Sequence, residues 1–475
     1  MKMPFGQTVL GGGWRLRLSA AVCLLALVSR WAAAASPEPP AMSFADYLAT
    51  WKIDRGSRAL LEEPAGWTPA KQDLALRVLV RLTRPPESLA ARWNADAVAV
   101  GGLAAGGRVQ DVPVKVEGRA VFVATVPLAE EQWAVAGRRQ FEVVRLVTAA
   151  GLSVDILADH VPKGWTRGVR IDEAAAAVGL PLAEAATAAA LASGYGLGDG
   201  PAGPPALLLA SRRVAWYPPT PLGMLGMDYG LFDFVVDGQK LAVGDTEAFY
   251  SVLAAAGRAA LSAAGRAPPA GDEALGQPGD IVPLINPASG WFAEHRGEPF
   301  TIEGVARRAT RIEVDDPWRR AQLGADHYWE LFVFVRTPLL EVHGRLQEDY
   351  PVVCCVRALP AGMPTGPRIS ERVRISGFAF KRYRYPLPDV KISSSQGDER
   401  QKGQSQETAL LIGGTAVWRP APSPTAEVNT LGWIFLAIAA VIGAVLALAA
   451  WSFARDSRRR DRQARKDLPD RIRIP

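Results

Sequence analysis

The chain has 475 residues, 49% of them hydrophobic, which is too long for one ordinary domain and apolar enough for several packed cores. Its formal charge of +6 sits at the ends: residues 1–35 carry Lys2, Arg15, Arg17 and Arg30 without an acid, and residues 454–475 carry nine Arg/Lys against four Asp. The portion between is net acidic, which argues against nucleic acid as a partner, since such binding calls for a basic excess.

In chain order, residues 1–35 read as a secretory signal peptide: a basic leader, an apolar run from Leu18 to Ser29, and Ala32 to Ala35 as an A-x-A cleavage site. A helical lead-in is expected over 36–110. Ser43 caps one helix, with Asp46 near the positive end of its dipole. Thr68-Pro69 opens another, with Leu74, Val78, Leu79 and Leu82 on one face.

Two repeats follow, 111–219 and 299–421. The stretch Pro162 to Gly179 (PKGWTRGVRIDEAAAAVG) returns without a gap as Pro360 to Gly377 (PAGMPTGPRISERVRISG), with seven of eighteen positions identical. The shared residues are Pro162/Pro360, Gly164/Gly362, Gly168/Gly366, Arg170/Arg368, Ile171/Ile369, Glu173/Glu371 and Gly179/Gly377. Around this signature each copy offers five strands. Val114–Ala120 pairs with Phe300–Ala306, Phe141–Leu146 with Tyr328–Phe334 (Glu142 matched to Glu330), and Val154–Val161 with Val352–Leu359. The signature then opens a fourth strand. Ala206-Leu207-Leu208-Leu209 before Trp216 pairs with Ala409-Leu410-Leu411-Ile412 before Trp418. Glu184 to Gly203 and Ser393 to Gln406 read as variable loops. Between the repeats, 220–298 is a connecting segment: a Gly- and aromatic-rich run from Leu222 to Gly244, a helix over 246–264 capped by Asp245, and a linker from Arg266 to Gly279.

After a short stalk at 422–430, Leu431 to Phe453 gives 23 residues without a charge, enough to span a hydrocarbon core of about 30 Å. Trp433 and Trp451 lie near its ends, and the basic tail 454–475 predicts a cytoplasmic C-terminus, with the rest of the chain outside the cytoplasm at the cell membrane. Ala439, Gly443 and Ala447 form a small-residue stripe on which two such helices would meet as a homodimer.

Five strands per unit, a glycine midway along the first, and V-x-I-x-G after a Gly-marked connector resemble the OB fold. That resemblance implies five-stranded Greek-key barrels that bind oligonucleotides or oligosaccharides. It departs from the family pattern between strands three and four, where a Pro/Gly-rich turn replaces a helix. As a whole the chain resembles membrane-anchored proteins of bacterial envelopes, a resemblance that implies a location and supplies no activity. The expected fold class is mainly β with helical additions: two tandem five-stranded OB-like barrels plus one transmembrane helix.

Standard catalytic motifs are absent: no G-x-S-x-G, H-E-x-x-H or G-x-x-x-x-G-K-[ST] occurs. His160, His295, His327 and His343 lack metal-ligand spacing, and adjacent Cys354 and Cys355 read as small strand fillers. No metal and no cofactor are expected. The matched acids Glu142, Glu173, Glu330 and Glu371 are the candidates for acid–base chemistry in a hydrolase or transferase, because a carboxylate on an apolar strand face must be paired or shift its pKa. Phe378, Phe380, Lys381, Arg382, Tyr383, Arg384 and Tyr385 interleave aromatics with cations, as a stacking platform for sugars or bases requires. The leading expectation is a membrane-anchored binding or scaffold module for protein or glycan, without catalysis. Catalysis by the glutamates and single-strand nucleic-acid binding through repeat 2 are the alternatives.

Overall fold

The computed structural model describes residues 42–63, 66, 68–103, 112–194, 197, 203–265, 277–342, 345–386, 391–392, 399–400, 405–420 and 425–466. The expected signal peptide, His343, most of the 266–279 linker and the end of the tail lie outside these residues.

Two barrels are present. The first is built from β1 (Val114–Pro127), β2 (Gln140–Thr148), β3 (Ser153–His160), β4 (Arg170–Glu184) and β5 (Leu207–Trp216), and the second from β6 (Pro299–Glu313), β7 (His327–Val342), β8 (Arg345–Ala358), β9 (Glu371–Pro386) and β10 (Ser405–Arg419). In each, the first strand pairs antiparallel with the second and the second with the third; the third runs parallel to the fifth, and the fourth closes the ring between fifth and first. This is the Greek-key order that the OB-like reading expects.

The duplication extends to the irregularities. Register breaks fall at Ala120/Phe122 and Ala306/Arg308 in the first strands, and at Ala177/Gly179, Pro181/Ala183, Ile375/Gly377 and Ala379/Lys381 in the fourth. Glycines mark close approaches at matched positions. A Cβ on Gly118 or Gly304 would lie 2.1 or 2.3 Å from the carbonyl oxygen of Val147 or Phe334. Gly168 and Gly366, both at positive φ, each donate an amide N–H to the first strand, at Val123 and Ala309.

Helices surround the barrels: α1 (Phe44–Thr50), α2 (Arg55–Glu62), α3 (Pro69–Leu82), α4 (Glu87–Ala95), α5 (Glu130–Ala136), α6 (Ala185–Gly194), α7 (Thr246–Gly265), α8 (Pro317–Leu323) and α9 (Thr425–Lys466). Ser43 and Thr68 cap α1 and α3 as expected, accepting from the Asp46 and Lys71 amides. α3 lies on β3 and β5 and against α5; α7 lies on β8 and β10 and against α8. The duplicated unit is therefore larger than a barrel: each copy has a helix laid across its third and fifth strands and braced by a helix between its first and second.

The packing follows alternation. Val116, Leu146, Ile156 and Leu209 fill the first barrel, and Ile302, Val333, Cys354 and Leu411 the second. The outer faces are equally apolar because they are covered: Phe141, Val143, Leu157 and Leu208 meet α3, while Phe332, Val353, Leu410 and Ile412 meet α7 and the connecting segment. Leu74, Val78, Leu79 and Leu82 of α3 are buried there, each contributing about 1.5–3 kcal/mol over exposure.

Several expectations need correction. The Ala-rich run read as a loop from Glu184 is helix α6, with Ala188, Leu191 and Ala192 buried; alanine is the best helix former, and the run packs against the first barrel. The connecting segment is the cover of the second barrel. Asp245 stands at the start of α7, yet its carboxylate accepts from Val236 and Ala242 amides and pairs with Lys381. Helix α9 begins at Thr425, inside the expected stalk, and Gly432–Arg460 is long and apolar enough to cross a membrane. Its large apolar side chains, Phe435 and Leu446 among them, are exposed on the protein, as lipid contact requires.

Candidate functional site

The repeated signature builds a clasp around a tryptophan. Strand alternation places Glu173 and Glu371 at a barrel mouth, and each accepts from the indole N–H of the tryptophan ending the fifth strand: Trp216 Nε1 to Glu173 at 2.8 Å and Trp418 Nε1 to Glu371 at 2.7 Å. The Pro-x-Gly turn lies against the same indoles. A Cβ on Gly164 would meet Trp216 at 3.1 Å, and one on Gly362 would meet Trp418 at 3.7 Å. The shared Pro, Gly, Glu and Trp form one structural unit that tethers the third-to-fourth connector to the fifth strand. Ile171 and Ile369 pack at the edges of the two barrel interiors.

The other two matched acids are not equivalent. On the second strands the barrels superpose Val144 on Leu331 and Leu146 on Val333, as their shared first-strand partners show. Glu142 therefore matches Trp329, and a one-residue slip puts Glu330 on the opposite face. Glu142 grips Arg167 with two hydrogen bonds of 2.6 and 3.0 Å, and Arg167 Nη1 also donates to Pro162 O. Glu330 pairs at 2.7 Å with Arg308, which stacks on Phe332 outside the second barrel. The same slip affects the fifth strand: Leu207 matches Ala409 and Leu209 matches Leu411. The four glutamates are spoken for by separate partners and do not converge.

The platform expected at Phe378 to Tyr385 is largely covered. The bulge between Ala379 and Lys381 turns both Phe380 and Lys381 toward α7. Phe380 packs against Phe232 and Phe249, and Lys381 Nζ lies 2.7 Å from Asp245 with both side chains buried. Phe378 packs at the edge of the same cluster. Arg382 and Arg384 both pair with Glu407, Tyr383 stacks on Tyr385, and the Tyr385 hydroxyl donates to Gln406. Of the seven, Arg384 is the exposed one. Cys354 and Cys355 are buried free thiols, and burial pushes both upward, away from reactivity. No cluster of three or more metal-ligating side chains occurs among the described residues.

What the chain does offer is a cleft of about 350 Å³ where the two units meet. One wall is β4 and β5 with Arg212, Arg213 and Tyr217; the opposite wall is Glu247 of α7 with Trp318 and Arg319 of α8; Trp93 of α4 closes an end. Arg213 anchors the joint, with Glu247 at 2.5 Å and Asp228 at 3.2 Å. The acids respond differently. Burial raises the Asp228 carboxyl against the pull of Arg213, whereas at Glu247 burial is outweighed by the charge and direct hydrogen bond of Arg213 together with the charges of Arg212 and Arg319, which hold the carboxyl low. Burial pushes the Tyr217 hydroxyl up to about 12, so it is a neutral phenol at the cleft.

None of these cleft residues was singled out from the sequence. A signal existed: Arg212-Arg213 interrupts a strand whose counterpart in the second copy, Gly414-Thr415, is uncharged. Two adjacent cations cannot both point to solvent from a strand, so one needed a partner or a cavity.

No family model matches the sequence, and no curated protein matches it. Among solved structures, one titled "Plasmodium falciparum SSB complex with ssDNA" is similar over 26% of this chain and 94% of that chain, at 9% identity and a TM-score of 0.13.

Proposed function

We propose that this protein is a single-pass protein of a bacterial cell envelope that holds its two helix-braced barrels outside the cytoplasm as a non-catalytic binding module for a glycan or protein partner. The observation that carries this reading is the cleft between the units, which draws its walls from both copies and from the segment joining them. The occupied state of Glu142, Glu173, Glu330 and Glu371 supports binding over acid–base chemistry, because each carboxylate already has a charged or indole partner. The covered Phe378 to Tyr385 strand weighs against single-stranded nucleic acid, whose bases need open stacking faces.

The expected topology is checked in cells by membrane-impermeant labelling of single cysteines, one at exposed Lys115 and one in the basic tail. Labelling at 115 and protection of the tail is the expected outcome; a tail labelled from outside rejects the orientation. A photo-crosslinking residue at Lys115, on the cleft rim, then reports the occupant. A saccharide or a discrete protein adduct supports the module, and a chain carrying neither in intact cells rejects it.

A further inference from the structure

We propose that the cleft between the two units binds a hexose-sized saccharide bearing a single carboxylate; this rests on the glycan-binding side of the function proposed above.

The cleft's volume of about 350 Å³ lies at the small end of ligand sites, which run from roughly 300 to 1,000 Å³, and suits one sugar ring better than a polymer. Its charged lining is Lys115, Arg212, Arg213 and Arg319 against Glu247 alone. Three of the cations are committed elsewhere. Arg213 serves Glu247 and Asp228, Lys115 pairs with Glu117, and Arg319 donates to Gln322 and lies over the Tyr250 ring. Arg212 is half-buried; its guanidinium feels the charges of Asp159 and Glu247 through space, with no side-chain hydrogen bond to either among the described residues. One guanidinium whose N–H donors are not taken up by a protein carboxylate matches one ligand carboxylate, which it binds through two parallel N–H donors. A phosphate monoester would bring roughly −1.5 to −2 charges to the same place.

The second observation is a buried donor. Trp93 is 6% exposed, and its Nε1–H lacks a partner among the described residues, an arrangement that leaves a donor's desolvation uncompensated. A ligand rich in hydroxyl and ring oxygens supplies the acceptor. Tyr217, held as a neutral phenol, adds a group that both donates and accepts toward hydroxyls, and the half-buried indole of Trp318 gives an aromatic wall for the apolar face of a pyranose.

The test uses the full chain in detergent micelles, titrated with glucuronate, glucose and glucose 6-phosphate and followed by calorimetry and tryptophan fluorescence. Glucuronate is expected to saturate one site, at least about tenfold tighter than either competitor, a difference of about 1.4 kcal/mol. R212Q is expected to lose about tenfold or more for glucuronate while leaving glucose unchanged, R212K to recover part of the loss, and W93F to weaken glucuronate and glucose alike. Circular dichroism and melting establish that the variants are folded; if R212Q is not, R212K and the glucuronate–glucose comparison on the unaltered chain carry the test. Equal binding of glucuronate and glucose, unmoved by R212Q, overturns the carboxylate assignment while leaving a glycan-binding module standing. Glucuronate that fails to bind at about 10 mM overturns the proposal, and protein adducts from the crosslinking above would then carry the scaffold reading alone.

Discussion

At Glu173 and Glu371 a carboxylate faces inward at a barrel mouth and stays there because an indole N–H reaches it. The two copies make the same bond to within 0.1 Å (2.8 and 2.7 Å), so the pair is built into the fold of both units. Hydrogen bonds to charged groups contribute about 1.5–3 kcal/mol each. E371Q and W418F are each expected to destabilise the chain by about 1–3 kcal/mol in urea unfolding. The double variant should cost clearly less than the sum, because either change removes the same bond. Additive losses would show that the two side chains act independently. The same scale explains the slips in Glu142/Glu330 and in the Ala-Leu-Leu runs. Glutamate and leucine recur often enough to match by chance one position off, and a one-residue shift in a strand exchanges inside for outside.

Among the elements, the connecting segment is the piece that sequence reading undervalued. Its aspartates act as struts in two directions. Asp228 and Asp233 reach the first unit, at Arg213, the Trp216 amide, His160 and the Lys163 amide. Asp237 and Asp245 hold the second, at the Arg382 amide and Lys381, and Asp237 also pairs with Arg296 of the same segment, which donates to the Phe380 carbonyl. The Lys381–Asp245 pair is the most consequential, with both side chains buried beneath the start of α7. Removing one partner of a buried pair typically costs 3–5 kcal/mol, because the other charge is left in low dielectric. K381M is therefore expected to destabilise the chain by about 3–5 kcal/mol and to open the 236–245 loop and α7 to hydrogen exchange ahead of the first barrel. Uniform exchange across both units would contradict the strut role. The clasp and the bulges, by contrast, were foreshadowed by the repeated Pro, Gly and Glu, since a glycine that must admit a neighbouring carbonyl leaves the same mark in both copies.

Across the whole molecule, the joint between units titrates. Arg213 lowers the Glu247 carboxyl against burial, so this acid contributes stability that is present above its unfolded pKa, near 4.5, and is lost as the pH falls through its lower folded value. Asp228 has the opposite sign: burial raises its folded pKa, so its contribution is present on the acid side and is lost as the pH rises through that value. The melting temperature is expected to fall below about pH 4.5, and E247Q to flatten that fall; an unaltered acid limb in E247Q would place the dominant titration elsewhere. The duplication, the five-strand content and the apolar helix are all legible in the sequence, because they rest on periodicity and composition within short windows. The sequence alone thus determined that there are two copies, which strands each has, and that one helix suits a membrane. Tertiary structure alone decided that each copy includes its covering helix, that Glu173 and Glu371 bond to the tryptophans ending the fifth strands, and that a cleft opens between the units beside Arg212 and Trp93. Those depend on contacts between residues far apart in the chain, set by how covered faces pack and by where each buried charge finds its partner.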